Sequence, residues 1–246
     1  MFYFASDIHL GAGTPAEQRE TERVFIRWLD RISADAEAVF LLGDLFDFWF
    51  EYRRVAPQGC VRALGKLAEL TDRGIRVVLF TGNHDMWVGD YLARECGVEL
   101  HTAPGEVTLA GKRLFLAHGD NMNIRRQPML RLMNTLFRSR TLRFLFSWLV
   151  HPDMAMKFGR WWSGKSRKSH GQHPPTAAIT EPLRDYARQY AERHPEVDLF
   201  IFGHMHVACD RTGERPRVLH LGSWERTPTY AVLDDAGILT LKTFTR

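Results

Sequence analysis

The chain has only three cysteines, Cys60, Cys96 and Cys209, scattered and without any Cys-x-x-Cys spacing. Such a set argues against a disulfide framework and against a thiolate zinc site, and it suits a reducing cytoplasm. Long apolar runs are missing too. The longest strongly apolar stretch, residues 144–150, falls far short of the roughly 18 to 20 residues that span a bilayer, so no transmembrane helix is expected. The first six residues carry no basic start and Asp7 interrupts them at once, which is unlike a signal peptide and makes a cytoplasmic location the expectation. There is no internal repeat or low-complexity tract, and 45% hydrophobic with 25% charged residues is the composition of a folded globular chain. Acidic side chains are nearly absent from one segment: residues 121–170 hold 11 Lys and Arg against a single acid, Asp153. Since the whole chain has 33 basic and 29 acidic residues, 22 basic stand against 28 acidic elsewhere. The net charge of +4 therefore conceals a basic insert on a mildly acidic body, and the partner of that insert is expected to be anionic.

What is present is a run of short apolar, β-branched and aromatic stretches at residues 2–5, 39–42, 77–80, 114–117 and 199–202, each read as a buried strand. Helical patterns alternate with them. Thr14-Pro15-Ala16-Glu17 combines a capping box with Pro at the first helical position and predicts a helix over 15–33. Further helices are predicted near 58–73, closed by Gly74, and near 176–193, where Leu183, Tyr186, Ala187 and Tyr190 share a face. From Arg217 onward the pattern reads as several antiparallel strands. The alternation defines an α/β fold, a layered sandwich in which the late strands extend a sheet. At 246 residues one such domain accounts for the chain.

Each of the five buried runs ends in a polar cluster: Asp7-Ile8-His9, Gly43-Asp44, Gly82-Asn83-His84-Asp85, His118-Gly119-Asp120 and Gly203-His204-Met205-His206. One His after a strand is usually an ordinary loop residue; five clusters at five strand ends are not. In open α/β sheets ligands bind at the carboxyl ends of strands, so these groups are expected to converge on one edge. Asp7, Asp44 and Asn83 offer oxygen and His9, His118, His204 and His206 offer nitrogen. That mixture without thiolate suits Mn, Fe, Zn or Mg-like ions. Two ions about 3.5 to 4 Å apart, sharing Asp44, would activate water and neutralise a phosphoryl group in line with its leaving group. Asp85 and Asp120 are expected to cap turns or orient ligands rather than bind metal.

The ordered series D-x-H, G-D, G-N-H-D, H-G-D and G-H-x-H resembles the signature of the calcineurin-like metallophosphoesterases across nearly the whole chain. The resemblance implies an αββα sandwich with two mixed sheets and two divalent cations, usually Mn2+. Asp7, His9, Asp44 and His206 would hold one, and Asp44, Asn83, His118 and His204 the other. It makes Asp44, Asn83 and His84 the catalytic candidates, with His84 stabilising the phosphoryl transition state or donating a proton to the leaving group. A narrower similarity is to the family's diphosphatase branch in lipid A biosynthesis. It rests on Gly43-Asp44-Leu45-Phe46-Asp47-Phe48-Trp49 and on the basic, aromatic insert between the His118 and His204 motifs. It implies an acylated UDP-sugar as substrate, cleaved to UMP and a lipid sugar 1-phosphate. The better-known members of that branch have Arg where His84 stands, and an acidic Gly-Asp-Asp run where this chain has Phe50-Glu51-Tyr52.

Within the insert, Leu130, Met133, Leu136 and Phe137 fall at helical spacing, as do Phe144 and Trp148, then Met154, Phe158 and Trp161. A lid of two or three helices over 121–170 is expected, most of its apolar residues packing it onto the body. Its 11 basic side chains among seven aromatics fit a cap that binds a diphosphate and touches the anionic inner face of the cytoplasmic membrane. They equally fit nucleic acid, which keeps a nuclease or nucleotide phosphodiesterase as the alternative on the same metal core. Lys165, Lys168, Trp49, Asn83 and His84 are the candidate substrate contacts. Residues 144–150 are too apolar for a solvated face and either border acyl chains or are buried against the body. An inactive partner-binding scaffold would be expected to have lost ligands, and all seven remain.

Overall fold

Alternate residues of the same strand build two different cores, and that division sets the architecture. In β1 (Phe2–Ala5), β2 (Ala38–Leu42) and β3 (Arg76–Phe80), the side chains of Tyr3, Ala5, Val39, Leu41, Val77 and Leu79 face one cluster, while Phe4, Phe40, Leu42, Val78 and Phe80 face another. Strands apolar on both faces must be covered on both. The first cluster is closed by α1 (Pro15–Ile32), through Phe25, Trp28, Leu29 and Ile32, and by α2 (Val61–Asp72), through Ala63, Leu67 and Leu70. The second is closed by another sheet, through Leu114 and Leu116 of β6 (Lys112–Ala117), Ile201 of β7 (Leu199–Phe202) and Leu219 of β9 (Arg217–Leu221). The outer face of that sheet, carrying Phe115, Phe200, Phe202 and Val218, packs on Leu183 and Ala187 of α6 (Ala177–Ala191). The result, in this computed structural model, is the expected four-layer sandwich. Residues 123–131, 133, 134, 171–176, 226 and 246, and the side chains of 140, 165–170, 177 and 178, lie outside the described residues.

The first sheet has the order β11-β10-β1-β2-β3-β4 and the second β5-β6-β7-β9-β8. Here β4 is Glu99–His101, β5 Gly105–Leu109, β8 Ala208–Asp210, β10 Thr229–Leu233 and β11 Leu239–Thr243. β1, β2 and β3 run parallel, as do β6, β7 and β9. In the tail expected to be antiparallel, β10 and β11 are so paired, while β9 is antiparallel to β8 on one side and parallel to β7 on the other, a correction to the expectation at that one edge. Both faces of β9 are buried, so its composition is that of an interior strand and carries no sign of direction. β4, β5 and the short helix α3 (Tyr91–Cys96) escaped the sequence reading because each is only three to six residues long. A tight turn joins β5 to β6, with Ala110 and Gly111 both at positive φ.

Helix α1 starts as its sequence dictates: the Thr14 and Glu17 side chains exchange hydrogen bonds with each other's backbone N–H, and Pro15 takes the first turn. In the basic segment, α4 (Arg140–Leu149) and α5 (Pro152–His170) are helical. Leu136 and Phe137 sit in a short helical turn before them, whereas Leu130 and Met133 lie outside the described residues. No helix among the described residues is long and apolar enough to cross a membrane.

One buried side chain in the second sheet carries a stability consequence. His220 of β9 is 1% exposed, neither ring nitrogen has a hydrogen-bond partner among the described residues, and the ring lies against Phe202. Burial, with Arg184 and Arg211 adding to it, pushes its pKa down to about 4. A histidine lowered from about 6.5 disfavours the protonated folded state. Its contribution is thus intact above pH 6.5 and is lost as pH falls towards 4, by about 3 kcal/mol in all. Unfolding titrations of wild type and His220→Leu should diverge by that amount across this window; parallel curves would refute it.

Candidate metal centre

The parallel strands deliver their polar clusters to one edge, and backbone hydrogen bonds lock the loops together there. Asp7 N–H donates to Gly43 O at 3.1 Å, His9 N–H to Asp44 O at 3.0 Å and Gly203 N–H to His118 O at 3.0 Å. Asp7 joins the two sheets, since its carboxylate accepts from His204 N–H at 3.0 Å and its carbonyl accepts from Trp224 N–H at 3.1 Å. Asp7, His9, Asp44, His204 and His206 all have φ between 51° and 67°, a region that non-glycine residues seldom occupy. Five such residues at one edge are held there by the loop hydrogen bonds, and strain of this kind clusters at functional sites. Two glycines give the side chains room. A Cβ on Gly43 would stand 2.5 Å from the His118 ring, and one on Gly82 would stand 2.2 Å from Asp44 Oδ1.

Six of the seven expected ligands are linked by direct atom distances. His9 Nε2 lies 3.2 Å from His206 Nε2, and His206 Nε2 lies 3.2 Å from Asp7 Oδ1. His9 Nε2 is 4.0 Å from both Asp7 Oδ1 and Asp44 Oδ2. On the other side of Asp44, His118 Nε2 is 3.3 Å from Asp44 Oδ2 and 3.2 Å from Asn83 Oδ1. The seventh, His204, has its ring 5.1 Å from that of His118. Ligating atoms of Asp7, His9, Asp44 and His206 all fall within 4.8 Å of one another. Imidazole nitrogens turned towards each other and towards carboxylate oxygens in a buried space are an arrangement that a divalent cation satisfies. Asp44 stands between the two groups, where a shared ligand would stand.

Protonation divides the cluster: burial lowers two of its rings, whereas Asp44 raises His118 and Asp7 raises His206 against the effect of burial, so a cation would displace the protons of those two. Burial holds His9 down at about 3 and His204 at about 4, keeping both rings in the neutral form that binds metal. Burial would raise Asp44, but the neighbouring His118 outweighs it and keeps the carboxylate ionised. Asp7 is likewise drawn to about 2 by His206 against the effect of burial. His118 Nδ1–H donates to Leu42 O at 2.9 Å, which leaves Nε2 directed at Asp44.

Asp85 is not placed among the ligands. It is fully buried and accepts Gly82 N–H at 2.7 Å and Leu45 N–H at 2.8 Å, tying the loop after β3 to the loop after β2. Burial, reinforced by the charge of Asp44, raises its pKa to about 6. Asp120 pairs with Arg138 at 3.0 Å. Trp49 is placed in the core rather than at the site: it is 2% exposed and donates its indole N–H to Glu51 at 2.8 Å. The side chains of Lys165 and Lys168 lie outside the described residues. His84 does reach the cluster, with Nε2 3.9 Å from Asp44 Oδ2 and its own N–H donating to Asp44 Oδ1 at 2.9 Å.

A cleft of about 450 Å³ opens beside His84 and Asn83. Its other walls are Phe48, Met86, Trp87, Phe137, Phe158 and Trp162, so it is polar at the metal cluster and aromatic away from it. The basic helices frame it. Trp87 donates its indole N–H to Phe137 O at 2.6 Å, and Phe146 of α4 packs on Phe50 and Trp87. The rest of the apolar run divides in two directions: Phe146 turns inward, while Phe144, Trp148 and Leu149 are 60%, 79% and 80% exposed. Two contacts went unnoticed in the sequence: Asp47, beside both His9 and His84, and Ser163 of α5, which reaches them from the insert. Asp47 was visible as the second acid of the Gly43–Trp49 motif; nothing in the sequence marks Ser163.

A layered α/β sandwich with this oxygen and nitrogen cluster at its strand ends defines a metal-dependent hydrolase. The chain belongs to the calcineurin-like phosphoesterase family, which matches residues 1–208. Among its relatives, a UDP-2,3-diacylglucosamine hydrolase of Porphyromonas gingivalis is 41% identical, over 94% of this chain and 93% of that protein. One from Pseudomonas paraeruginosa is 30% identical over 91% of this chain and 90% of that protein. An archaeal phosphodiesterase of known structure covers 99% of both chains with a TM-score of 0.50 and 11% identity, a likeness of fold alone.

Proposed function

We propose that this protein hydrolyses the diphosphate of UDP-2,3-diacylglucosamine, water attacking phosphorus to release UMP and the diacylglucosamine 1-phosphate. Two divalent cations, with Mn2+ first in order, are assigned to Asp7, His9, Asp44 and His206 and to Asp44, Asn83, His118 and His204. When bound they supply charge for the phosphoryl oxygens and acidify the attacking water. Asn83 orients the phosphoryl group, and His84 Nε2 faces the reacting centre to steady developing charge or to protonate the leaving group. The observation that carries an acylated substrate, rather than a generic phosphodiester, is the aromatic cleft that shares a wall with Asn83 and His84. The insert acts as a lid, with Lys165 and Lys168 reaching for substrate phosphate or sugar. Its exposed Phe144, Trp148, Leu149 and Trp161, in a segment of 11 basic residues and one acid, support contact with an anionic lipid surface.

Purified protein loaded with Mn2+ and offered UDP-2,3-diacylglucosamine, a dinucleotide and an aryl phosphodiester should cleave the first at least about tenfold faster, as kcat/KM, a gap of 1.4 kcal/mol. A chelator should abolish that cleavage and added Mn2+ restore it. Equal or faster cleavage of the dinucleotide, together with nucleic-acid binding that falls steeply with salt, would transfer the assignment to a nuclease.

A further inference from the structure

Ser163 lies on α5, in the middle of the basic insert, yet it is 1% exposed and touches the body of the protein at its chemical centre. Its hydroxyl donates to Asp47 Oδ1 and stands 2.9 Å from His84 Nδ1. His84 Nδ1 also lies 2.8 Å from the main-chain carbonyl of Asp47. A carbonyl only accepts, so Nδ1 carries the ring proton; a carboxylate only accepts, so the serine proton goes to Asp47. Ser163 Oγ is left to accept a share of the Nδ1–H bond. With Nδ1–H held in this way, Nε2 is the atom that faces Asp44 at 3.9 Å, and a proton donated from it is the second proton of the imidazolium form.

We infer that Ser163 is a positioning residue, through which the docked insert fixes the ring plane and tautomer of His84. Among the described residues, Asp47 O, Asp44 and His9 meet that ring from the loops after β2 and β1, and Ser163 is the contribution of the insert. Helix α5 approaches closely enough because Gly159, one turn earlier, has no side chain. A Cβ there would stand 2.3 Å from the Phe48 ring. The seating of α5 against Phe48 and Asp47 and the aim of His84 are thereby one event, so displacing this helix leaves His84 unaimed.

This role rests on the hydrolytic reading above, and two measurements on Ser163→Ala separate the two. The substitution suits a helix interior, because Ala is the better helix former. With UDP-2,3-diacylglucosamine, kcat should fall between about tenfold and a hundredfold with KM unchanged, the effect of a misaimed group rather than of a lost substrate contact. In 1H–15N spectra of the metal-free protein at alkaline pH, wild-type His84 should be protonated at Nδ1, with that proton protected from exchange. In Ser163→Ala the same resonance should shift or broaden. A wild-type kcat in the variant, an unchanged His84 resonance, or a wild-type ring protonated at Nε2 would each overturn the inference. If the wild-type protein cleaves no UDP-linked sugar, the substrate reading fails, and the ring spectrum still decides the role of Ser163.

Discussion

Asp44→Asn lowers kcat on UDP-2,3-diacylglucosamine by on the order of a thousandfold or more, while the protein stays folded. The magnitude follows from position. Asp44 lies between the His9 side and the His118 side of the cluster, with Oδ2 4.0 Å from one ring and 3.3 Å from the other. Removing its charge weakens both proposed cation sites together, and a metal contributes several kcal/mol of transition-state stabilisation, each 1.36 kcal/mol being tenfold. The fold survives because Asn keeps an oxygen where Asp44 Oδ1 accepts His84 N–H at 2.9 Å. Steady-state kinetics beside circular dichroism and bound-metal analysis checks this. A variant that retains both metals and turns over at the wild-type rate removes Asp44 from the mechanism.

Asp85→Ala is expected to act on stability instead, lowering the unfolding free energy by on the order of 3 kcal/mol. Asp85 is completely buried, and the backbone N–H groups of Gly82 and Leu45 point closely at its oxygens, with that of Phe46 farther off at 3.5 Å. An unsatisfied buried donor costs about 1 to 3 kcal/mol, and truncation strands the two close ones. The loops that it joins carry Asp44 and Asn83, so activity falls as a consequence of the loosened cluster. Denaturant unfolding at fixed metal concentration measures the effect. A loss under about 1 kcal/mol would show that water replaces the carboxylate without penalty.

These two aspartates show why the sequence revealed some parts of the site and not others. Both follow a strand within a Gly-rich cluster, and the sequence reading separated them into a candidate ligand and a supporting residue. It did so on motif order. The contact of Asp85 with Leu45 joins residues 40 apart, a pairing that no local pattern encodes. Trp49 shows the opposite case: an aromatic inside a diagnostic motif looked like a substrate contact, and the structure spends it on the core, with its indole N–H satisfied by Glu51. Aromatic residues serve either purpose, and composition does not distinguish them.

By itself, the sequence showed the five buried strands that lead to the site, the capped start of α1 and seven candidate oxygen and nitrogen donors at those strand ends, because these depend on local spacing and on residue chemistry. The tertiary structure alone decided the order of strands in the two sheets, the parallel course of β9, the outward turn of Phe144 and Trp148, and the meeting of Ser163 with Asp47 and His84. Those features arise from contacts between residues up to 231 positions apart, as in the pairing of Phe2 with Leu233, whose partners are chosen by packing and by hydrogen bonds that must be satisfied in a dry interior.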